Sequence, residues 1–395
     1  MHMLVVINNG GELSLKAKFI IQLLGLDSKD RILYVFKKED MFKEKWDHNQ
    51  VELATSISGI MAYFFLMMVK SPKDLKDGVL RRLINRKSES GLFKEGFFSA
   101  LSEALYQYFV VPARTESIIC YLSKLNSPKF FLVDEYSSIK TVNLKALKRL
   151  GPIIYVSQDV AYNRFGFGDN FITRKLMYNL ERNAATLADV IVACSERDRL
   201  KYIEMGARKV FFYPNIYPIT EFEPDEKDKM PSVSIVLRGH WGSIAERSLE
   251  EIFKALSLLD GKIKVYMIGI APTILPGNIV LQHYKCIPSK LDYLNILSKS
   301  WIGINVGIHL GGANERKYDY AMAGLVVFSD DLGVRGDLLP HEYSYVDSYD
   351  LAAKLEQLLE FGKDEIAEMG KQNRKQALSL TKKHREILLK TLNFL

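Results

Sequence analysis

Short, wholly apolar runs recur along this chain, each bounded by charged or turn residues and separated from the next by a longer amphipathic stretch. A run apolar at every position suits a strand buried on both faces, which belongs in a parallel sheet covered by helices. Parallel neighbours need a crossover, and the amphipathic stretches supply one. The pattern occurs twice. Leu4 to Ile7, Phe130 to Val133, Ile153 to Val156, Val190 to Ala193 and Val210 to Tyr213 form the first series. Ser232 to Leu237, Lys264 to Ile268, Ile279 to Gln282, Ile302 to Val306 and Leu325 to Ser329 form the second. Between them, after Pro214-Asn215 and Pro218, the mixed-charge stretch Glu221 to Met230 has no periodicity and ends at Pro231, as a linker would.

The expectation is an α/β chain of two Rossmann-like α/β/α domains, 1–218 and 219–375, followed by a C-terminal helix over 376–395. The length agrees: 395 residues, 48% of them hydrophobic, exceed what one core usually serves. Leu249, Ile252, Phe253, Leu256 and Leu259 recur at helical steps and predict a core-facing helix. Leu388, Leu389, Leu392 and Leu395 give the C-terminal helix an apolar stripe that must cover another surface, and packing back on the first domain would bury it.

Several classes are disfavoured. Three cysteines, Cys120, Cys194 and Cys286, lie far apart, against a zinc cluster or disulfide framework and in keeping with a cytoplasmic location. The apolar start Met3 to Ile7 breaks at Asn8-Asn9-Gly10-Gly11, too short for the apolar region of a signal peptide. Ile60 to Val69 is far below the roughly 20 residues of a membrane-crossing helix. The net charge of +7 suits phosphate ligands, nucleic acid or an anionic membrane. The basic residues lack the aromatic interleaving of a strand-binding groove, which argues against nucleic acid.

Three strand ends carry chemistry. Gly10-Gly11 follows the first strand and precedes the helical pattern Leu13 to Leu24, either as a tight turn or as an approach to a ligand on the acceptor side. Ser232 to Leu237 runs into Arg238-Gly239-His240-Trp241-Gly242-Ser243, where an arginine beside glycines can meet a diphosphate or be a solvated surface charge. The densest group is Gly311-Gly312-Ala313-Asn314-Glu315-Arg316-Lys317-Tyr318-Asp319, closed by Gly324. A helix beginning near Asn314 or Glu315 would offer free amides and its positive dipole end to an anion, with Arg316 and Lys317 adding charge. Asp319 presents two oxygens to a vicinal diol such as ribose. The alternative is a surface helix whose Glu315 and Asp319 make ordinary ion pairs. Asp159, just past the strand Ile153 to Val156, could orient an acceptor hydroxyl or take its proton, or could cap a turn.

Two segments resemble family 4-like glycosyltransferases. Glu181-Arg182, Leu187-Ala188-Asp189, Val190 to Ala193, Ser195-Glu196 and Tyr213-Pro214-Asn215 resemble the end of that family's first domain. Asp319, Met322-Ala323, Gly324 and Leu325 to Phe328 resemble its donor motif. The likeness extends over most of residues 150–375, and residues 30–125 match nothing specific. The chain departs from the pattern at Gly311, where the first acidic residue of the motif would fall, and at Asp319, where glutamate is commoner. Ser157-Gln158-Asp159 stands where His-Asp is frequent, with Gln158 on the acceptor side. His240 stands where the second domain's arginine would be, so that Arg238 or Arg247 would substitute.

The resemblance implies the GT-B fold, two Rossmann-like domains facing each other across a cleft. It implies a nucleotide-diphosphate sugar in the C-terminal domain as donor substrate, an acceptor in the N-terminal one, and no cofactor or metal. Arg238, Lys317 and Asp159 are the expected catalytic residues. Gly239, His240, Arg247, Gly311, Gly312, Asn314, Glu315, Arg316 and Asp319 are expected around the donor. The acceptor is expected to be a glycan or a lipid-linked molecule. Ile60 to Val69 followed by Lys70, Lys73, Lys76, Arg81, Arg82, Arg86 and Lys87 is apolar then basic, which suggests an anionic membrane surface met by residues 60–87 on the cytoplasmic face. A buried helix next to a solvated basic one explains the same residues. A GT-B epimerase and a non-catalytic nucleotide-sugar-binding protein are the rival readings.

Overall fold

A computed structural model describes residues 3–8, 16–17, 20–21, 32–35, 111–124, 129–158, 160, 171–214, 222–237, 242–307, 315–331, 333–334 and 339–392. The chain divides into two compact units. The first comprises 1–194, 198–212 and 388–395, and the second 195–197 and 213–387.

The first unit holds the strands β1 (Met3–Ile7), β2 (Ile32–Val35), β3 (Lys129–Asp134), β4 (Ile153–Val156), β5 (Val190–Ala193) and β6 (Val210–Phe212). Their order across the sheet is β2-β1-β3-β4-β5-β6, with every pairing parallel. Leu4 to Ile7 and Phe131 to Val133 are buried throughout, the two-sided cover that their sequence called for. Helices α1 (Val111–Ser123), α2 (Glu135–Ile139), α3 (Leu144–Lys148), α4 (Phe171–Leu187) and α5 (Glu196–Glu204) follow in chain order.

The second sheet contains β7 (Ser232–Leu237), β8 (Ile263–Gly269), β9 (Ile279–Tyr284), β10 (Ile302–Asn305), β11 (Val326–Asp330) and β12 (Glu342–Tyr345). It is again wholly parallel, in the order β12-β11-β10-β7-β8-β9. Its helices are α6 (Gly242–Ser257), α7 (Lys290–Ser298), α8 (Glu315–Met322) and α9 (Ser348–Leu359), and α10 (Gly362–Leu392) closes the chain. Leu249, Ile252, Phe253, Leu256 and Leu259 are all buried against this sheet, as their spacing predicted. Asn278 donates to Leu256 O and Leu259 O at 2.9 and 3.1 Å, satisfying carbonyls left open where α6 ends.

Two expectations need correction. The stretch read as a linker is anchored in the second unit: Phe222 is buried, Trp301 Nε1 donates to Asp228 O at 2.9 Å, and Tyr266 OH donates to Asp228 Oδ2 at 2.8 Å. The C-terminal helix begins at Gly362 rather than 376, because nothing in Glu365 to Leu380 breaks it.

Strand order fixes where ligands can bind. In each sheet the first strand has its successor on one side and the third strand of its series, or for the second sheet the fourth, on the other. The direction of winding therefore reverses between β1 and β3, and between β7 and β10. Beyond the carboxyl ends of strands at such a reversal, a crevice opens.

Candidate functional site

The ladder between β10 and β7 runs from Ile302↔Val233 to Ile304↔Ile235. Past it, side chains of α8 meet the backbone groups that the two strands leave open. Tyr320 OH accepts from Val236 N at 3.0 Å and donates to Ile304 O at 3.1 Å. Arg316 Nη1 donates to Val236 O at 3.0 Å, and Nη2 donates to Val306 O at 2.6 Å. Residues 316 and 320 lie one helical turn apart, so one face of α8 closes the gap between two strands. The Tyr320 ring also requires a glycine below it: a Cβ on Gly303 would lie 2.3 Å from Tyr320 Cγ.

The other faces of α8 do different work. Lys317 is fully buried and its Nζ lies 2.7 Å from Glu342 Oε2, a carboxylate equally enclosed. Glu342 also accepts from Ser329 Oγ at 2.8 Å and from Leu339 N at 3.3 Å. This corrects the expectation that Lys317 offers its charge to a phosphate: the ammonium ties α8 to the β11 and β12 side of the sheet. Arg316 is corrected in part. A guanidinium carries five N–H groups, and two here hold strand carbonyls, so the residue is first a strap.

Asp319 Oδ1 receives Lys290 Nζ at 2.5 Å, and Tyr293 donates to the same carboxylate. Burial pushes the Asp319 carboxyl above its ordinary value, and Lys290 counters the shift. Burial, then the Asp319 charge, raise the Tyr293 hydroxyl. A diol at Asp319 would therefore share the carboxylate with a lysine that sequence reasoning did not single out. Glu315 and Arg247 are exposed. Asp330, at the end of β11, accepts from Gly307 N at 2.8 Å and from Gly333 N at 2.6 Å, shaping the chain beyond β10.

Arg238, Gly239, His240, Gly311, Gly312 and Asn314 lie outside the described residues, as do Asp159, Gly10, Gly11 and residues 60–87. The ends around two of these groups are nevertheless placed. Residues 238–241 leave the carboxyl end of β7 and enter α6, while 308–314 connect β10 to α8, which Arg316 holds against Val236.

In the first unit, Gln158 follows β4, half-buried, with its carbonyl accepting from Cys194 Sγ. Ser157 Oγ lies 2.8 Å from Tyr202 OH, which donates to the buried Glu181 at 3.3 Å. At the reversal point, Asn8 Nδ2 donates to Asp134 Oδ2 at 3.1 Å, joining the ends of β1 and β3. Among the described residues, no group of three His, Cys, Asp or Glu side chains is arranged to hold a metal ion, and no helix is long and apolar enough to cross a membrane.

Two units of this topology, with α8 strapped across the second reversal, match solved structures over their whole length. Sucrose-phosphate synthase from Thermosynechococcus elongatus aligns with a TM-score of 0.61 at 12% identity, covering 100% of this chain and 98% of that one. Anabaena HepE aligns in complex with UDP (TM-score 0.59, 12% identity) and with UDP-glucose (0.56, 11%), covering 100% of both chains each time. No family model and no curated protein matches the chain. The fold is GT-B. At such identity the likeness speaks for architecture alone.

Asn8, Asp134, Lys290, Tyr293 and Tyr320 were not singled out from the sequence. Asp134 and Asn8 each follow a recognised apolar run, so the reasoning used for Arg238 would have found them. Lys290 and Tyr293 sit on a helix whose contact with Asp319 is separated from it by 29 residues, and no local pattern signals that.

Proposed function

We propose that the chain is a glycosyltransferase that moves a sugar from a nucleotide-diphosphate sugar to an acceptor hydroxyl, with the donor on the second unit and the acceptor on the first. The observation that carries this reading is the strap of Arg316 across Val236 O and Val306 O. It fixes the start of α8 at the winding reversal, where a helix N-terminus and a cation favour a diphosphate. HepE was solved with UDP-glucose and with UDP, and its shared fold makes that donor class the natural one to test.

Glycosyl transfer builds positive charge on the sugar and negative charge on the departing phosphate, so cations held near the phosphate act on the transition state. In this reading Arg238, leaving β7, joins the remaining N–H groups of Arg316 and the amides that open α8. No metal or cofactor is invoked, since these groups neutralise the leaving diphosphate. The ribose diol meets Asp319, displacing or sharing Lys290. Lys317 holds the helix in place.

Thermal denaturation with UDP, GDP and ADP tests the donor site. A nucleotide at about 100 times its dissociation constant adds about 2.7 kcal/mol of stability. Stabilisation by one of the three, lost in Arg316→Ala, is the expected result, and indifference to all three would remove the reading. Product analysis with and without acceptor separates transfer from epimerisation. For the acceptor we read a glycan or lipid-linked molecule, reached from an anionic membrane surface through residues 60–87. Sedimentation with anionic liposomes should fall when the Lys and Arg residues of 70–87 become Gln, and equal binding by both forms would dismiss it.

A further inference from the structure

At the carboxyl end of α8, away from Arg316, the second unit has a cavity of about 720 Å³. It lies between residues 223–227, the turn at Gly324 that leads into β11, and α10, so all its walls belong to one unit. Residues 363, 367, 371, 374 and 378 recur at three- and four-residue steps, which sets them on one face of α10. The first turn of this 31-residue helix opens onto the cavity at Lys363 and brings the positive end of its dipole there.

The charges around the cavity are sorted by depth. Arg374 is 17% exposed, and its Nη1 donates at 3.1 Å to Glu223, which is 85% exposed. Lys363 is 29% exposed and lies 3.4 Å from Glu226, which is 89% exposed. Lys227 is half-buried, and its one partner among the described residues is Ala323 O, at a long 3.4 Å. Asp225 stands in solvent, as do Asp364, Lys371 and Lys375 on α10. The inner wall is therefore cationic and the carboxylates sit at the rim, where pairing with them is weak.

A cation withdrawn from water needs a partner close by. Two observations show that the cavity supplies less than its cations require. Arg374 Nε is buried and meets no acceptor among the described residues. Burial lowers the Lys227 ammonium to about 7, with nothing opposing the shift.

We propose that this cavity is a second ligand site, which takes a small dianion of the phosphate class on Lys227, Lys363 and Arg374. Phosphate oxygens take the place of the exposed Glu223 and Glu226 carboxylates as acceptors, and they give Lys227 the counter-charge that it lacks. Pro224, Ala367 and Leu378 offer apolar surface to the body of a phosphomonoester, and the volume is that of a small-molecule site. Because the dianion returns Lys227 to its charged form, binding takes up a proton wherever the free amine is neutral. The site stands whether or not the start of α8 receives a nucleotide sugar.

Isothermal titration of the full-length chain at about pH 8 tests this, with inorganic phosphate in one arm and glycerol 3-phosphate in the other, for wild type and K227M. The expected result is binding with uptake of nearly one proton per anion, read from the heats in two buffers of different ionisation enthalpy. The tighter of the two probes tells whether the ligand is free phosphate or a phosphomonoester. K227M should bind at least about tenfold more weakly, the weight of one charged hydrogen bond, and take up no proton. It should melt no lower than wild type, because methionine has no ammonium to withdraw from water. Indifference to both probes, or binding by wild type without proton uptake, overturns the proposal. Affinity of K227M within about threefold of wild type places the anion elsewhere and overturns it too. So does K227M melting well below wild type, which would make Lys227 a prop for the end of α8.

Discussion

Each sheet reverses its winding once, yet the places of reversal carry opposite chemistry. Between β1 and β3 stand the carboxylates of Asp134 and Glu135, the first of them accepting from the Asn8 amide. Between β7 and β10 stand Arg316, whose guanidinium spans two strand carbonyls, and the hydroxyl of Tyr320. Topology decides where a crevice opens in an α/β sheet, and side chains at the strand ends decide what it can hold. An acidic crevice suits a hydroxyl, and a basic one suits a phosphate.

If the second crevice depends on α8 being fixed in place, the largest effect comes from beneath it. Lys317→Met leaves Glu342 enclosed without its counter-ion, which costs about 3–5 kcal/mol and should appear in urea unfolding. The double variant K317M/E342L removes both charges and should recover most of that loss. Failure to recover would mean that α8 is held by something other than this pair.

Next in size is Arg316→Ala. Two strand carbonyls lose their partners, worth about 1–3 kcal/mol, and stabilisation by the preferred nucleoside diphosphate should disappear. Arg316→Lys keeps the charge but not the fork, so it should recover little of either. Asn8→Leu, by contrast, takes the donor from a buried carboxylate in the other sheet. It should cost about 1–2 kcal/mol while leaving nucleotide binding unchanged. A loss of nucleotide binding in Asn8→Leu would erase the distinction between the two crevices.

The strand framework was legible because apolar runs such as Ile153 to Val156 must be buried on both faces whatever surrounds them. β12, by contrast, is Glu-Tyr-Ser-Tyr at a sheet edge, half-exposed, with no apolar run to announce it. The helix at Glu315 and its stop at Gly324 were equally readable, since charged residues opening a helix and a glycine closing it are local signals. What each side chain of α8 does was not. Arg316 and Lys317 are adjacent and both basic, so a one-dimensional reading gave both to a phosphate. A helix turns about 100° per residue, which sends one to the strand ends and the other to Glu342, a partner 25 residues further along.

The smallest effect sharpens the donor side. Asp319 lies above its ordinary carboxyl value through burial, so the folded chain binds this proton more readily than the unfolded one. Its contribution to stability is therefore greatest in acid and declines as pH rises through the folded value. Lys290 lowers that value, and Lys290→Gln should raise it, extending the decline to higher pH. The lysine is 40% exposed and the carboxylate 13%, so solvent screening keeps the difference below about 1 kcal/mol. Tm measured from pH 4 to 7 should show wild type and variant converging in acid and the variant falling below at neutrality. If Asp319 also meets the ribose diol, a saturating nucleoside diphosphate should narrow that neutral gap, because two hydroxyls then donate to the carboxylate in the lysine's place. A gap unaffected by nucleotide would mean that Asp319 serves only Lys290 and Tyr293, leaving the second crevice to recognise its ligand through the phosphate alone.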